Sequence, residues 1–219
     1  MDYFCFHHST TRTFNSKFEQ LFGDPRAPET LFFTEGTGFP SYFGEKPGNY
    51  NVLCSLNQHY ADIAASIQKV TEEVLLNMAH AVRRETGLKN LCIAGGVGLN
   101  SVANTRILNE SGFEQLYIQP ASGDGGGALG AALYIYHALL GKPRKLVMKH
   151  AYWGKAYSDL EIKAFLDREG ISYVCAKSED AVLDHTVEAL VSGKVIGWYQ
   201  GRFEWGPRAL GNRSILADP

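Results

Sequence analysis

This sequence of 219 residues predicts a parallel α/β fold, and three observations carry that prediction. Two consecutive stretches repeat the order strand, glycine-rich turn, helix, which is how parallel sheets are written. A long segment with apolar residues recurring at three and four precedes them, as an amphipathic helix requires. Hydrophobic content of 45% is enough to bury a core, and the length suits one large domain or two small ones. Formal net charge of −2 and a pI near 6.4 give no global basic field, so nucleic acid is not an expected partner.

Residues 1–57 are poorly patterned, with Pro25, Pro28, Pro40 and Pro47 and a glycine–aromatic stretch from Thr34 to Tyr50, and read as surface loop and excursion. Ser55-Leu56-Asn57-Gln58 has the spacing of a capping box. From there Tyr60, Ile63, Ile67, Val70, Val74, Met78 and Val82 predict a helix to about Glu85, ended by Gly87. The first repeated unit is a strand over Leu91–Ala94, the turn Gly95-Gly96-Val97-Gly98-Leu99-Asn100, and a helix from Ser101 to about Asn109, closed by Gly112. The second is a strand over Leu116–Gln119, the turn from Pro120 to Gly127, and a helix through Leu140 with Gly141 and Pro143 as stops.

The basic stretch Lys142–Lys149 breaks the pattern and places a domain boundary near His150. Beyond it, Ser158-Asp159-Leu160-Glu161 opens a helix that Gly170 ends, Ile171–Cys175 reads as a strand, and Asp180–Ser192 as a helix stopped by Gly193. Lys194–Tyr199 is a strand feeding the terminal segment.

That terminal segment, GRFEWGPRALGNRSILADP from Gly201, sets Arg202, Arg208 and Arg213 among glycines and one proline. Arginine offers a planar fork of donors matched to phosphate or carboxylate oxygens, and glycine lets backbone N–H groups come close. The alternative is solvated charge, or an internal pair with Glu204. The element runs to the last residue, Pro219, and reads as part of a larger enzyme.

The turn at Gly95 and Gly96 lies between a strand and a helix start, where free N–H groups favour an anion or a polar ligand edge. Glycines there also serve simply to let strand meet helix, and Asn100 is a good helix cap with no ligand at all. The second turn is stronger, because glycines at a helix start each cost ~1 kcal/mol relative to alanine. Gly125 and Gly126 would suit a flat ring laid on the helix, or close packing of small residues. Asp124 either caps that helix or turns a carboxylate oxygen toward a divalent ion. Cys5, Cys54, Cys92 and Cys175 are far apart and suit a reducing compartment. No run approaches ~18 apolar residues and the start Met1-Asp2-Tyr3 lacks a leader pattern, so no membrane partner is expected and the cytoplasm is the default location.

Four motifs in order, HYADIAASIQ from His59, IAGGVGLNSVAN from Ile93, SGDGGGALGAA from Ser122 and GKVIGWYQGRFEWGPRALGNRSILADP from Gly193, resemble the NodU/CmcH family of O-carbamoyltransferases over roughly residues 55–219. The resemblance implies an actin-like (ASKHA, ribonuclease H-like) nucleotide and metal domain, of which residues 1–149 would be the later part, followed at 150–219 by the beginning of a YrdC-like domain. It implies that carbamoyl phosphate is activated with ATP, accompanied by Mg, through carbamoyl adenylate and passed to a hydroxyl of a small acceptor. Carried over by motif, Gly95, Gly96, Val97 and Asn100 correspond to the nucleoside turn, Gly125 and Gly126 flank the adenylate, and Arg202, Arg208 and Arg213 serve the phosphates.

Asp124 matches an aspartate that holds an iron-type metal ion together with two histidines of an H-x-x-x-H motif. His7-His8 does not have that spacing, and the other histidines stand alone. The polypeptide alone is therefore expected to transfer little carbamoyl group. The acceptor and any homodimer are left open. A threonylcarbamoyl-type tRNA-modifying enzyme would share the metal-and-adenylate half but would not continue directly into the arginine element. A non-catalytic nucleotide-binding module is the reading of a different class.

Overall fold

The computed structural model describes residues 2–218, so Met1 of the polar start and Pro219 of the terminal element lie outside the described residues. The chain divides into two compact units, one up to Glu85 and one from Thr86 on.

The first unit is organised on the 37-residue helix α2 (Tyr50–Thr86). Its start corrects the capping-box reading: Ser55 lies inside the helix, where its hydroxyl donates back to Asn51 O at 3.2 Å, and Gln58 Nε2 donates to Asp62 Oδ1 at 2.8 Å. A serine hydroxyl satisfied by the carbonyl one turn earlier has no need to end the helix. Residues 2–57 are also more ordered than a loop reading allows. A short helix α1 (Ser16–Phe22), capped by Asn15, follows a bridge between Phe4 and Phe14. Phe33 is fully buried and stacks on Tyr50 with ring centroids 5.3 Å apart. The buried Asn57 donates to Phe33 O at 2.9 Å, Tyr60 OH donates to Asp24 O at 3.1 Å, and His59 Nε2 lies 2.8 Å from Phe22 O. Aromatic side chains and backbone carbonyls thus anchor the early segment on the first turns of α2. Further along, the apolar face that the periodicity marks as core is open within this unit, with Ile67 63% exposed and Val70, Val74 and Met78 likewise.

The second unit contains the repeated strand–turn–helix pair. Strand β1 (Asn90–Ile93) lies parallel to β2 (Gln115–Ile118), with Leu91 opposite Leu116 and Ile93 opposite Ile118. Helix α3 (Ser101–Glu110) joins them and buries Ala103 and Ile107. Helix α4 (Gly127–Tyr134) continues as a wider π-helical turn over Ile135–Leu139. Gly87, Gly112, Gly141, Gly170 and Gly193 all have positive φ, which is why the helices stop where the sequence marks them.

Helix α5 (Asp159–Glu169) opens with the complete capping box: Ser158 N donates to Glu161 Oε2 at 2.8 Å, and Glu161 N donates to Ser158 Oγ at 3.3 Å. Replacing Ser158 by alanine is expected to cost about 1 kcal/mol of helix stability, read as a lower urea midpoint. The strand expected over Ile171–Cys175 is absent: the segment is irregular, and its Tyr173 hydroxyl instead joins Lys163 at 2.9 Å and Asp167 at 3.0 Å. Helix α6 (Glu179–Val191) is capped by Ser178. Strand β3 (Ile196–Tyr199) then pairs antiparallel with β4 (Arg213–Leu216), which the sequence reading did not anticipate.

Two carboxylates on α5 give it an acid response. The backbone and hydroxyl of Ser158 hold Glu161 below its ordinary 4.5, and hydrogen bonds from Lys163 and Tyr173 hold Asp167 below 3.8. A carboxylate with a lowered folded pKa contributes stability that is present above its unfolded pKa and lost as pH falls through the folded one. Amide protection in the first turn of α5 is thus expected to hold from neutrality down to about pH 4.5 and to weaken below it, modestly because both groups are exposed. Protection unchanged in strong acid would contradict that account. Lys163 moves the other way, raised by its hydrogen bonds to Asp167 and Tyr173, so its contribution persists until strongly alkaline pH.

Candidate functional site

The site grows from the carboxyl ends of β1 and β2, where a parallel sheet opens its ligand crevice. Gly95 has φ 108°, a backbone only glycine adopts readily, and its N–H donates to Ser122 O at 2.8 Å, tying the first turn to the second. Gly96–Leu99 form a single 3₁₀ turn in which Gly98 is buried. A Cβ on Gly98 would lie 3.2 Å from Ile93 Cγ2, and one on Gly123 would lie 3.7 Å from Gly96 Cα. The two turns are therefore neighbours, not separate features. Asn100 caps α3, its Oδ1 accepting from Ala103 N at 3.1 Å, so the plain capping role is present. Val97 points outward, 56% exposed.

In the second turn the two singled-out glycines differ. A Cβ on Gly126 would fall 2.1 Å from Ala121 O, whereas one on Gly125 would meet nothing within 4 Å. Gly126 is required by the backbone's own packing, and Gly125 leaves bare backbone facing open space. Asp124 is exposed at the start of this turn.

The terminal segment closes the other side. Trp205 N donates to Ala151 O at 2.8 Å, and its indole stacks on Trp153 with ring centroids 5.7 Å apart. Gly206, at φ 131°, passes so close to the second turn that a Cβ would lie 2.7 Å from Pro120 O. Between the walls lies a cleft of about 400 Å³, with Leu99, Ala121 and Gly123-Asp124-Gly125 on one side and Trp205-Gly206-Pro207 on the other. That volume lies within the range of small-molecule pockets, and the lining is apolar apart from one carboxylate.

The three arginines do not converge. Arg208 Nη2 donates to Leu99 O at 3.3 Å, at the cleft, and the rest of its fork is available to an anion. Arg202 Nε donates to Gly154 O at 3.0 Å, away from it. Arg213 is a clamp: it donates to Gln200 O, Asn212 O and Gly201 O, and its guanidinium carbon lies 3.4 Å from the Tyr199 ring centroid and 4.1 Å from that of Phe203. Nor does Glu204 pair with an arginine; it accepts backbone N–H groups of its own loop. Lysine lacks the fork, so Arg213→Lys is expected to lower the stability of this unit by about 1–3 kcal/mol. An unchanged urea midpoint would show that the clamp does not hold the hairpin.

Asp124 provides a single carboxylate, and among the described residues no group of three or more histidine, cysteine, aspartate or glutamate side chains gathers. The described residues do not by themselves fit a metal ion. His7 and His8 touch each other, and His137 meets Lys142 O.

Residues 1–133 match the family described as Carbamoyltransferase N-terminus, and residues 187–219 match Carbamoyltransferase C-terminus. The chain belongs to the NodU/CmcH-type carbamoyltransferase family. Among its relatives is an uncharacterized protein of Synechocystis sp., 41% identical over 225 aligned residues that cover 100% of this chain and 32% of that protein. Nodulation protein NolO of Bradyrhizobium diazoefficiens is 38% identical over 168 residues, 74% of this chain and 30% of NolO. The 3'-hydroxymethylcephem-O-carbamoyltransferase of Streptomyces clavuligerus is 36% identical over 159 residues, 71% of this chain and 28% of the relative. The chain thus spans about a third of the length of these relatives.

In this family member the cleft is where the two matched segments meet: Leu99 and Gly123-Asp124-Gly125 come from the first match and Trp205-Gly206-Pro207 from the second. Of the residues singled out in the sequence, Asp124 and Gly125 line the cleft and Arg208 bonds to Leu99 beside it, whereas Leu99, Trp205 and Pro207 were not singled out as walls. The signal available was the tryptophan–glycine–proline run, a rigid apolar corner beside an arginine.

Proposed function

We propose that this chain provides two walls of an ATP-dependent O-carbamoyltransferase, with residues 1–149 belonging to an actin-like nucleotide domain and residues 150–219 opening a YrdC-like domain. The observation that carries the reading is the cleft that Leu99 of the first glycine turn, Gly123-Asp124-Gly125 of the second and Trp205-Gly206-Pro207 line together, with the Arg208 guanidinium hydrogen-bonded to Leu99 O beside it. Carbamoyl phosphate is hydrolysed to carbamate and phosphate. A carbamate oxygen attacks the α-phosphorus of ATP and expels pyrophosphate, giving carbamoyl adenylate. An acceptor hydroxyl then attacks the carbamoyl carbon, its proton is lost, and AMP leaves.

In this scheme the exposed backbone of Gly95, Gly96 and Gly125 receives the nucleoside edge, since nothing lies within 4 Å of where their Cβ atoms would be. Gly126 holds the turn in shape. Arg208 binds the charge on phosphoryl oxygens, which is what such chemistry must stabilise. Arg202 and Arg213 support the loop that carries it. Mg would accompany the ATP phosphates, and Asp124 would contribute one oxygen to an iron-type ion, the other ligands coming from outside the described set; no step is assigned to that ion. The acceptor is a small molecule with a free hydroxyl. No helix among the described residues is long and apolar enough to cross a membrane.

Backbone amide and side-chain N–H shifts of the labelled chain test this placement. ATP or AMP is expected to perturb Gly95–Asn100 and Ser122–Gly126, and carbamoyl phosphate the Arg208 side chain and the Trp205 indole. Perturbations confined to other regions would refute it.

A further inference from the structure

Glu204 is the one charged side chain of the 200–213 segment to which the proposed chemistry gives no part. Its Oε1 accepts two backbone N–H groups, from Leu210 at 2.7 Å and from Asn212 at 2.8 Å. One carboxylate oxygen therefore ties the start of the loop to its end, and residues 205–209 form an arch between. The arch's outer footing is separate: Trp205 N donates to Ala151 O, and Tyr152 OH donates to Leu210 O, both at 2.8 Å. On the arch stand Trp205, Gly206 and Pro207, which line the cleft, and Arg208, which reaches Leu99 O. Arg208 is two residues from Leu210, so the bond to Leu210 N limits how far the guanidinium can travel.

We propose that Glu204 is a positioning residue: by closing the 205–209 arch it fixes where the Arg208 guanidinium meets Leu99 O beside the cleft, and so prepares the site for an anionic carbamoyl donor without touching it. The inference rests on the reading of Arg208 as the anion contact. A carboxylate suits this task because an ionised oxygen accepts two N–H bonds more strongly than a neutral acceptor does. Glutamine keeps the oxygen and loses only the charge.

The test is a set of carbamoyl phosphate titrations of the 219-residue chain, followed by NMR, on Glu204→Ala, Glu204→Gln, Arg208→Ala and the double variant Glu204→Ala/Arg208→Ala. Glu204→Ala is expected to weaken binding about tenfold, as much as Arg208→Ala, with the double variant no weaker than either single one. Glu204→Gln is expected to bind within about threefold of the parent. The Trp205 indole and Arg208 Nε–H resonances are expected to move in Glu204→Ala and stay in Glu204→Gln. Additive losses, parent-like binding by Glu204→Ala, or equal losses in the alanine and glutamine variants would overturn the proposal.

Should Glu204→Ala fail to fold, Glu204→Asp, whose reach is shorter by one methylene, takes its place with the same expected coupling to Arg208. If the parent chain shows no carbamoyl phosphate binding, the anion reading of Arg208 falls. The two resonances still decide Glu204, because an arch unmoved in Glu204→Ala sinks the positioning role.

Discussion

Replacing Gly126 by alanine is expected to destabilise the unit from Thr86 on by roughly 3 kcal/mol, a fall of about 6–12 °C in Tm, while the same change at the adjacent Gly125 leaves stability within about 0.5 kcal/mol. The contrast comes from geometry. At Gly126 the new methyl would overlap the Ala121 carbonyl at 2.1 Å, and a backbone oxygen cannot swing aside as a side chain can. At Gly125 it would enter open space at the cleft. There the change should appear in ligand affinity instead: Gly125→Ala is expected to weaken ATP binding about tenfold, because the methyl occupies room the nucleotide would use. Equal melting temperatures for the two variants would show that the turn is not built as described. Unaltered ATP binding by Gly125→Ala would remove the nucleotide from this wall.

Arg208→Ala, made at the equivalent position of a full-length family member, is expected to lower carbamoyl phosphate use roughly 30- to 150-fold, the loss of about 2–3 kcal/mol from charge-assisted hydrogen bonds. Binding of ATP should change by no more than about threefold, since the proposed reading sets the nucleoside edge on glycine backbone and not on this guanidinium. Kinetic constants for carbamoyl phosphate and a separate ATP titration read the two effects. Equal loss of both would mean that Arg208 serves the nucleotide. Arg202→Ala should have the smaller effect, because its Nε is committed to Gly154 O away from the cleft.

Most of the helices were legible because their stop signals are local. A glycine with positive φ ends each of several helices, and the Ser158 box needs only residues 158–161 to form. The parallel pair β1 and β2 followed from the strand–turn–helix repeat, which restricts topology before any coordinates exist. Local signals also misled: Ser55 has capping-box spacing yet lies inside the helix, because the helix already starts at Tyr50, at the end of the glycine–aromatic stretch that read as loop. Ile171–Cys175 has the composition of a strand but no strand beside it among the described residues, and a tyrosine hydroxyl bound to α5 holds it irregular.

At the site, glycine spacing located the turns, because a bare backbone is a property of the residue type. What spacing did not give was which arginine reaches a residue of the cleft. Arg202, Arg208 and Arg213 look alike in the sequence, and only tertiary contacts separate a guanidinium packed against the Tyr199 and Phe203 rings from one held at Leu99 O. Glu204 was visible as an ion-pair candidate, whereas its two backbone donors lie six and eight residues away, beyond any local motif.

The most direct measurement is a crystal structure of the chain soaked with a non-hydrolysable carbamoyl adenylate analogue. The account predicts the adenosine against Gly95-Gly96 and Gly123-Asp124-Gly125, and the phosphate within hydrogen-bond distance of Arg208. An analogue bound away from this cleft, or in it with its phosphate pointing away from Arg208, would contradict the claim that the glycine turns and the terminal segment form one carbamoyl-transfer site.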